Sequence, residues 1–390
     1  MLSVPRNVFY TGLVSFFMDL SSEMIYPLVP LFLSSVIGVN RTVIGLIEGI
    51  AESTASILKV YSGWLSDRIG KRKILLIAGY GISTLSRPIL AVSSMWGQVL
   101  TFRFIDRFGK GIRGAPRDAI IAESTPSKDL GRAFGLHRGM DTLGAVAGPL
   151  IAFIVLYFFT GNFRMVFWLS LIPGFIAVAV IIFFVKETKH KETSLKPKLS
   201  LKDFDWRYKA FVAVSALFAL GNSSDAFLIL RATDTGISET HVPLLYLSFN
   251  LIYSLVSFPA GVLSDRIGRK RVILSGFILF GFVYLGFALA SATWHIWGLF
   301  LLYGIFMGLT EGIHKAYLGS IIPEHLKATG FGIYNTCVGL AVLPASIIGG
   351  RLWDTFGAHA TFYYGSITAF MAAILFLIIF GREEFKRSRQ

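Results

Sequence analysis

The chain almost lacks cysteine: Cys337 is the single one in 390 residues. An intramolecular disulfide, a multi-cysteine zinc site and an iron–sulfur cluster are thereby excluded. Charge is scarce as well, with 15% of residues Asp, Glu, Lys or Arg against about 25% in an ordinary soluble domain. Acidic residues are the scarcer kind, 23 against 37 basic, for a formal net charge of +14. No His-Glu-x-x-His and no Gly-x-Ser-x-Gly occurs, and Gly109-Lys110-Gly111 lacks the hydroxyl residue of a phosphate-binding loop. An intramembrane enzyme needs a nucleophile with its base or a metal triad, so the chain reads as a non-enzyme without cofactor or bound metal.

Apolar bulk is what the chain has: 54% hydrophobic residues, 35 Phe and 39 Gly. A helix crossing the hydrocarbon core takes roughly 20 apolar residues. Runs of that kind, broken by charge or by Gly, Pro and Asn, predict helices near 7–34, 42–66, 73–93, 96–123, 132–159 and 163–186. Six more are predicted near 208–231, 241–264, 272–291, 294–319, 328–350 and 360–381. The expected fold is an all-α polytopic membrane protein of twelve transmembrane helices in two six-helix bundles. The first run follows one basic residue, Arg6, and has no small-x-small cleavage site, so it is read as a retained helix rather than a signal peptide.

Twelve crossings put both termini on one side. Counted by loop, 24 of the 37 basic residues fall on that side, and Arg41, Arg164, Arg231 and Arg351 fall on the other. Cytoplasmic loops collect Lys and Arg, so both termini are expected in the cytoplasm of a cell (inner) membrane. Nucleic-acid binding is set aside, because the basic residues trace the loops instead of forming one groove.

The longest polar stretch runs from Lys186 to Lys209, midway along the chain. It divides the chain into a first bundle at 1–186, a linker at 187–207 and a second bundle at 208–390. A repeat supports the division. Gly63-Trp-Leu-Ser-Asp67-Arg68-Ile-Gly70-Lys71-Arg72-Lys73 returns as Gly261-Val-Leu-Ser-Asp265-Arg266-Ile-Gly268-Arg269-Lys270-Arg271, after the second span of each half. A weaker echo pairs Gly111-Ile-Arg-Gly-Ala115 with Gly312-Ile-His-Lys-Ala316 in the fourth span of each half. Parallel six-helix repeats are the build of one large class of transporters.

These residues resemble the signature of the major facilitator superfamily: a Gly, three residues, Asp-Arg, one residue, a Gly and a basic triplet. Both copies meet it in full, and the resemblance covers the whole chain. It implies a secondary transporter working by alternating access, with helices 1, 4, 7 and 10 lining a central cavity and helices 3, 6, 9 and 12 facing lipid. The stretch from Asp106 to Glu123 is similar to a prokaryotic subgroup whose substrates are mostly unassigned. In the fifth span, Gly144-Ala-Val-Ala-Gly148-Pro149 is similar to the first part of a motif of antiporter members. The later glycines of that motif are replaced by Leu150 to Phe153. This partial match favours efflux.

An ionised side chain at the bilayer centre costs about 2.5–3.5 kcal/mol on insertion scales, so it normally faces a cavity or a partner. The fourth span carries Arg103, Asp106, Arg107, Lys110, Arg113 and Arg117. At about 100° per residue these lie within an arc of roughly 120°, a face that lipid does not tolerate. Asp19 and Glu23 stand four residues apart on the first span, and Glu48, Glu52 and Lys59 share a face of the second. Asn222 and Asp225, and then Glu311, His314 and Lys315, supply the polar groups of spans seven and ten. Substrate and proton sites of transporters lie near the midplane, so Asp19, Glu23, Glu48, Glu52, Arg103, Asp106, Arg107, Lys110, Arg113, Asn222, Asp225, Glu311 and His314 are the candidate site.

Arg117, Asp118, Glu123, Arg138 and Asp141 lie toward the cytoplasmic side and read as gate ion pairs. The loop residues Gly63, Asp67, Arg68, Gly70 and Arg72, and their repeats Gly261, Asp265, Arg266, Gly268 and Lys270, read as latches, since anchoring alone needs neither the Asp nor the Gly. An acid whose Arg partner moves between states can bind and release a proton, so protons are the expected coupling ion. His137 and His314 are candidate relays.

The cations of the fourth span favour an anionic, zwitterionic or amphiphilic solute. The carboxylates of the first two spans keep a divalent metal or a cationic drug open as the cargo. Uptake in place of export, and a transporter-like sensor without flux, are the remaining alternatives. The partners expected are a small-molecule substrate, the lipid bilayer and protons, with the chain acting as a monomer.

Overall fold

The computed structural model describes residues 5–69, 71–126, 129–188, 204–323 and 326–387. Among them all regular secondary structure is helical. In chain order the long elements are α1 (Arg6–Val36), α2 (Arg41–Ile69), α3 (Arg72–Val92), α4 (Trp96–Glu123), α5 (Leu130–Phe158) and α6 (Phe163–Phe184). They continue as α7 (Trp206–Asp234), α8 (Val242–Ile267), α9 (Arg269–Leu289), α10 (Thr293–Ile321), α11 (Lys327–Phe356) and α12 (Ala358–Arg387). Ten of these, among the described residues, are long and apolar enough to cross a bilayer. The other two are α2 and α4, of 29 and 28 residues, which have the length but carry the interior charges. Side chains such as Phe158, Phe183, Phe258 and Ile374 stand exposed, which suits an oily solvent rather than water.

Three helices are interrupted, α6 only at Ser170. In α1 the regular helix stops at Ile25, and Tyr26–Leu28 form a 3₁₀ turn. Pro27 and Pro30 explain it, because proline removes a helix N–H and crowds the preceding turn. In α7 the helix stops at Gly221 and resumes at Ala226, with no proline involved. Backbone groups freed at membrane depth need partners inside the protein. Here the Ser346 hydroxyl of α11 accepts the Ser224 N–H at 3.2 Å, and the Tyr364 hydroxyl of α12 donates to the Leu220 carbonyl at 2.8 Å.

Two helix seams place the site. A Cβ on Gly148 of α5 would stand 2.6 Å from the Leu20 carbonyl oxygen and 2.9 Å from the Met24 nitrogen, so only glycine lets α5 lie directly on the α1 backbone. A Cβ on Gly79 of α3 would stand 2.8 Å from the Gly109 carbonyl oxygen of α4. These approaches seat α5 on α1 and α4 on α3, and the polar faces of α1, α3 and α4 line one cavity.

Contacts divide the chain into two compact units. Unit 1 comprises Met1–Val39, Ile50–Pro197 and Ser238–Leu247; unit 2 comprises Asn40–Gly49, Lys198–Ile237 and Ser248–Gln390. The first residues of α2 therefore belong with unit 2, and side-chain capping shows why. Asn40 accepts from the Val43 N–H at 3.0 Å. Asp354 of α11 accepts from the N–H groups of Arg41 and Thr42 at 2.9 and 2.8 Å and from the Thr42 hydroxyl at 2.6 Å. The donors that a helix start leaves open are thus covered by its own cap residue and by a second helix.

Candidate functional site

Unit 1 contains a cavity lined by Asp19, Ser22, Glu23 and Tyr26 of α1, Arg87 of α3, and Arg103, Asp106, Arg107, Lys110 and Arg113 of α4. Seven of these are among the residues expected from the sequence; Ser22, Tyr26 and Arg87 are additions. Each buried cation is held differently. Arg107 pairs with Glu52 of α2 at 2.9 Å. Arg103 and Arg107 both lie over the Tyr26 ring, 5.5 and 5.7 Å from its centroid, at the point where α1 breaks. Arg113 stacks on Tyr80 at 4.4 Å and donates to the Ser83 hydroxyl at 3.0 Å, and that hydroxyl donates to the Asp106 carbonyl at 3.0 Å.

Arg87 is 1% exposed. It donates to the Ser170 carbonyl at 2.8 Å and to the Ser22 hydroxyl at 3.2 Å. A lone Arg beside a proline on a helix expected to face lipid was its only sign in the sequence. Lys110 is exposed toward the cavity, and one carboxylate oxygen of Glu23, Oε2, is buried without a hydrogen-bond partner among the described residues. An ammonium and an open carboxylate thus stand in a cavity walled by four guanidinium groups. That arrangement is cationic on balance, with one carboxylate oxygen at Glu23 open to a positive group. Glu48 is buried at 2% exposure and falls in unit 2, outside this cavity.

Toward the chain's basic loops, Asp141 of α5 accepts from Arg138 at 3.0 Å, and Asp19 of α1 lies in hydrogen-bonding contact with Asp141. His137 is buried and meets the Ser15 hydroxyl at 2.8 Å. Arg117 pairs with its neighbour Asp118 at 2.9 Å. Arg72 at the start of α3 pairs with Glu123 at the end of α4 at 2.8 Å. Glu187, which sequence reasoning missed, caps the α3 N-terminus by accepting from the Arg72 N–H at 2.9 Å and the Lys73 N–H at 3.1 Å. An acid at a helix N-terminus is favoured by the helix dipole. Gly144, Gly148 and Pro149 lie along α5, where the two glycines face α1. The surroundings of Gly63, Asp67, Arg68 and Gly70 lie outside the described residues.

In unit 2 the polar groups are tied to aromatic ones. Tyr303 of α10 donates to Asp225 at 2.7 Å. Tyr253 of α8 donates to Glu311 of α10, which also pairs with Lys315 at 3.0 Å. The Phe249 ring stacks on both tyrosines, at 6.3 Å to Tyr253 and 5.4 Å to Tyr303. His314 is set between the rings of Phe211 and Phe277, at 5.9 and 5.5 Å, with Nε2 lacking a hydrogen-bond partner among the described residues. Asn222 ends the first segment of α7. In the second signature loop, Arg269 pairs with Asp265 at 3.4 Å and donates to the Ala316 carbonyl at 3.0 Å, while Lys270 lies 5.4 Å from the Phe380 ring. Gly268 has φ 96° and starts α9; only glycine adopts that backbone freely. Gly261 faces open space and Arg266 is exposed. Among the described residues no group of three or more His, Cys, Asp or Glu is placed to hold a metal ion.

The sequence profile of the Major Facilitator Superfamily matches residues 11–230 and 210–390. The chain is similar to an uncharacterized MFS-type transporter of Methanocaldococcus jannaschii, 38% identical over 382 residues, covering 96% of this chain and 95% of that protein. It is also similar to the multidrug resistance protein MdtG of Proteus mirabilis, 25% identical over 394 residues, covering 97% and 96%. In fold it is similar to the crystal structure of a mutant of the nucleoside transporter NupG, with a TM-score of 0.79 at 12% identity, covering 96% of this chain and 99% of that one.

Proposed function

The chain belongs to the Major Facilitator Superfamily and is a multi-pass secondary transporter; from that premise we propose that it exports a small anionic, zwitterionic or amphiphilic solute in exchange for protons. The observation that carries this reading is the unit 1 cavity, where Arg103 and Lys110 line the space that acidic groups would enter and Glu23 keeps an open oxygen. Arg87 and Arg113 are occupied in holding the wall, by the Ser170 carbonyl and by Ser83. They set the field of the cavity, which Arg103, held over Tyr26, and Lys110 also line. The bundles proposed are 1–186 and 208–390, joined by a linker at 187–207. Both termini lie on the cytoplasmic side of the inner membrane, no catalytic centre is involved, and the chain acts as a monomer.

Export is favoured by the partial motif of α5. A second reading has its own support: the acid–tyrosine contacts at Asp225 and Glu311 would suit a cationic drug. A thermal-shift screen of the purified protein against organic anions, zwitterions, cationic drugs and divalent metals separates the two. A ligand at one hundred times its dissociation constant stabilises by about 2.7 kcal/mol. A shift with anions or zwitterions that disappears in Arg103→Ala supports the first reading; a shift with cations that disappears in Asp225→Asn replaces it with the second. Flux in proteoliposomes under an imposed pH gradient then fixes direction, and a bound ligand with no flux would mark a sensor.

A further inference from the structure

The proposed exchange leaves open where the proton is held, and the α1–α5 seam, which meets the ligand cavity at Asp19, offers a place. Gly148 lets α5 lie against the α1 backbone. About two and three turns before Gly148 on α5, the two helices make two polar contacts: Asp19 with Asp141, and Ser15 with His137 at 2.8 Å. Arg138 grips one oxygen of Asp141, Oδ2, at 3.0 Å. The Asp141 side chain is 15% exposed and that of Arg138 is 57% exposed, so the pair sits just beneath solvent.

We propose that Asp19 and Asp141 form a one-proton site that carries the coupling proton, beside the cations that line the cavity. Two carboxylates in contact do not both ionise, because like charges at that distance repel strongly; one proton shared between them turns repulsion into a short hydrogen bond. The charged and titratable groups facing the pair are Glu23 of α1, Lys110 and Arg117 of α4, and His137 and Arg138 of α5. Three cations oppose one further acid, so the pair keeps a net negative charge when it holds its proton, and a second when the proton leaves to water. Release sets two like charges against each other across the seam. Proton occupancy and the contact of α1 with α5 are therefore linked. That the proton is the coupling ion rests on the transporter reading; that the pair holds a proton does not.

Infrared titration of the full chain in lipid nanodiscs, with no solute added, tests the site. The wild type should keep a carboxylic-acid C=O band at neutral pH, where an ordinary Asp is ionised. Asp19→Asn and Asp141→Asn should each remove that band, since an amide N–H replaces the shared O–H, and Glu23→Gln should leave it. A band that persists in both Asn variants, is missing from the wild type, or vanishes in Glu23→Gln alone overturns the proposal. If either variant does not run as a monodisperse peak, carbon-isotope labelling of the wild type decides: a band moved by labelled Asp supports the pair, and one moved by labelled Glu refutes it. Because no solute is present, these results stand apart from any failure to find a transported ligand.

Discussion

Arg113 in unit 1 and His314 in unit 2 occupy the same place in the echo of Gly111–Ala115 by Gly312–Ala316, and they live in different surroundings. Arg113 is stacked on Tyr80 and bonded to Ser83, which ties it to the α4 backbone at Asp106. His314 lies between Phe211 and Phe277. The contrast extends outward. Unit 1 gathers guanidinium groups around carboxylates, whereas unit 2 meets its acids with tyrosine hydroxyls and stacked rings. A duplicated backbone keeps what its geometry demands, such as the broken helix at Tyr26–Leu28 and again at Asn222–Asp225, and leaves the chemistry of the cavity wall free to diverge.

If binding is concentrated in unit 1, the largest effect belongs to Arg103→Ala. Transport of the solute found in the thermal screen should fall at least about 100-fold, or about 2.7 kcal/mol in transition-state terms, with an unchanged yield of folded protein. Glu311→Gln should fall about tenfold; equal losses would erase the asymmetry between the units. Next comes Gly148→Ala, whose new methyl group meets α1 backbone and should cost about 1–3 kcal/mol. Gly286→Ala in unit 2 meets only the tip of Leu299, so thermal unfolding should separate the two. Tyr303→Phe removes the donor to Asp225 and should cost about 0.5–1.5 kcal/mol, read as a weakened response to cationic ligands with anion binding intact. The smallest change is expected from Asp265→Asn, because its pair with Arg269 is exposed, 69% on the Asp side, and such pairs are worth about 0–1 kcal/mol. Turnover should slow while affinity holds; a turnover equal to wild type would remove the latch role.

Much of the fold was legible because bilayer helices are written in long apolar runs. All twelve predicted spans have a helix, and α4 begins and ends at the expected residues, Trp96 and Glu123. The first run was read as one helix, and its break at Pro27 and Pro30 was passed over. The break in α7 was not legible, since it depends on Ser346, far along the chain. The polar stripe of α4 pointed to the cavity. Which cations hold the wall could not be read, because that depends on carbonyl groups such as that of Ser170. Tyr26, Tyr253 and Tyr303 were hidden among 14 Tyr and 35 Phe, where no spacing sets a functional ring apart from a packing one. Glu187 and Asp354 were missed because a capping acid is defined by the helix it meets, and those helices lie far away in sequence.

Asp354 makes the start of α2 conditional on another helix. While α11 is in place, the N–H groups of Arg41 and Thr42 are covered; when it withdraws, they face water as bare donors, though the helix beyond them stays intact. Amide deuteration at these two positions would therefore count openings of this end of the molecule. Were α11 to move, that one carboxylate would report it, with no label attached.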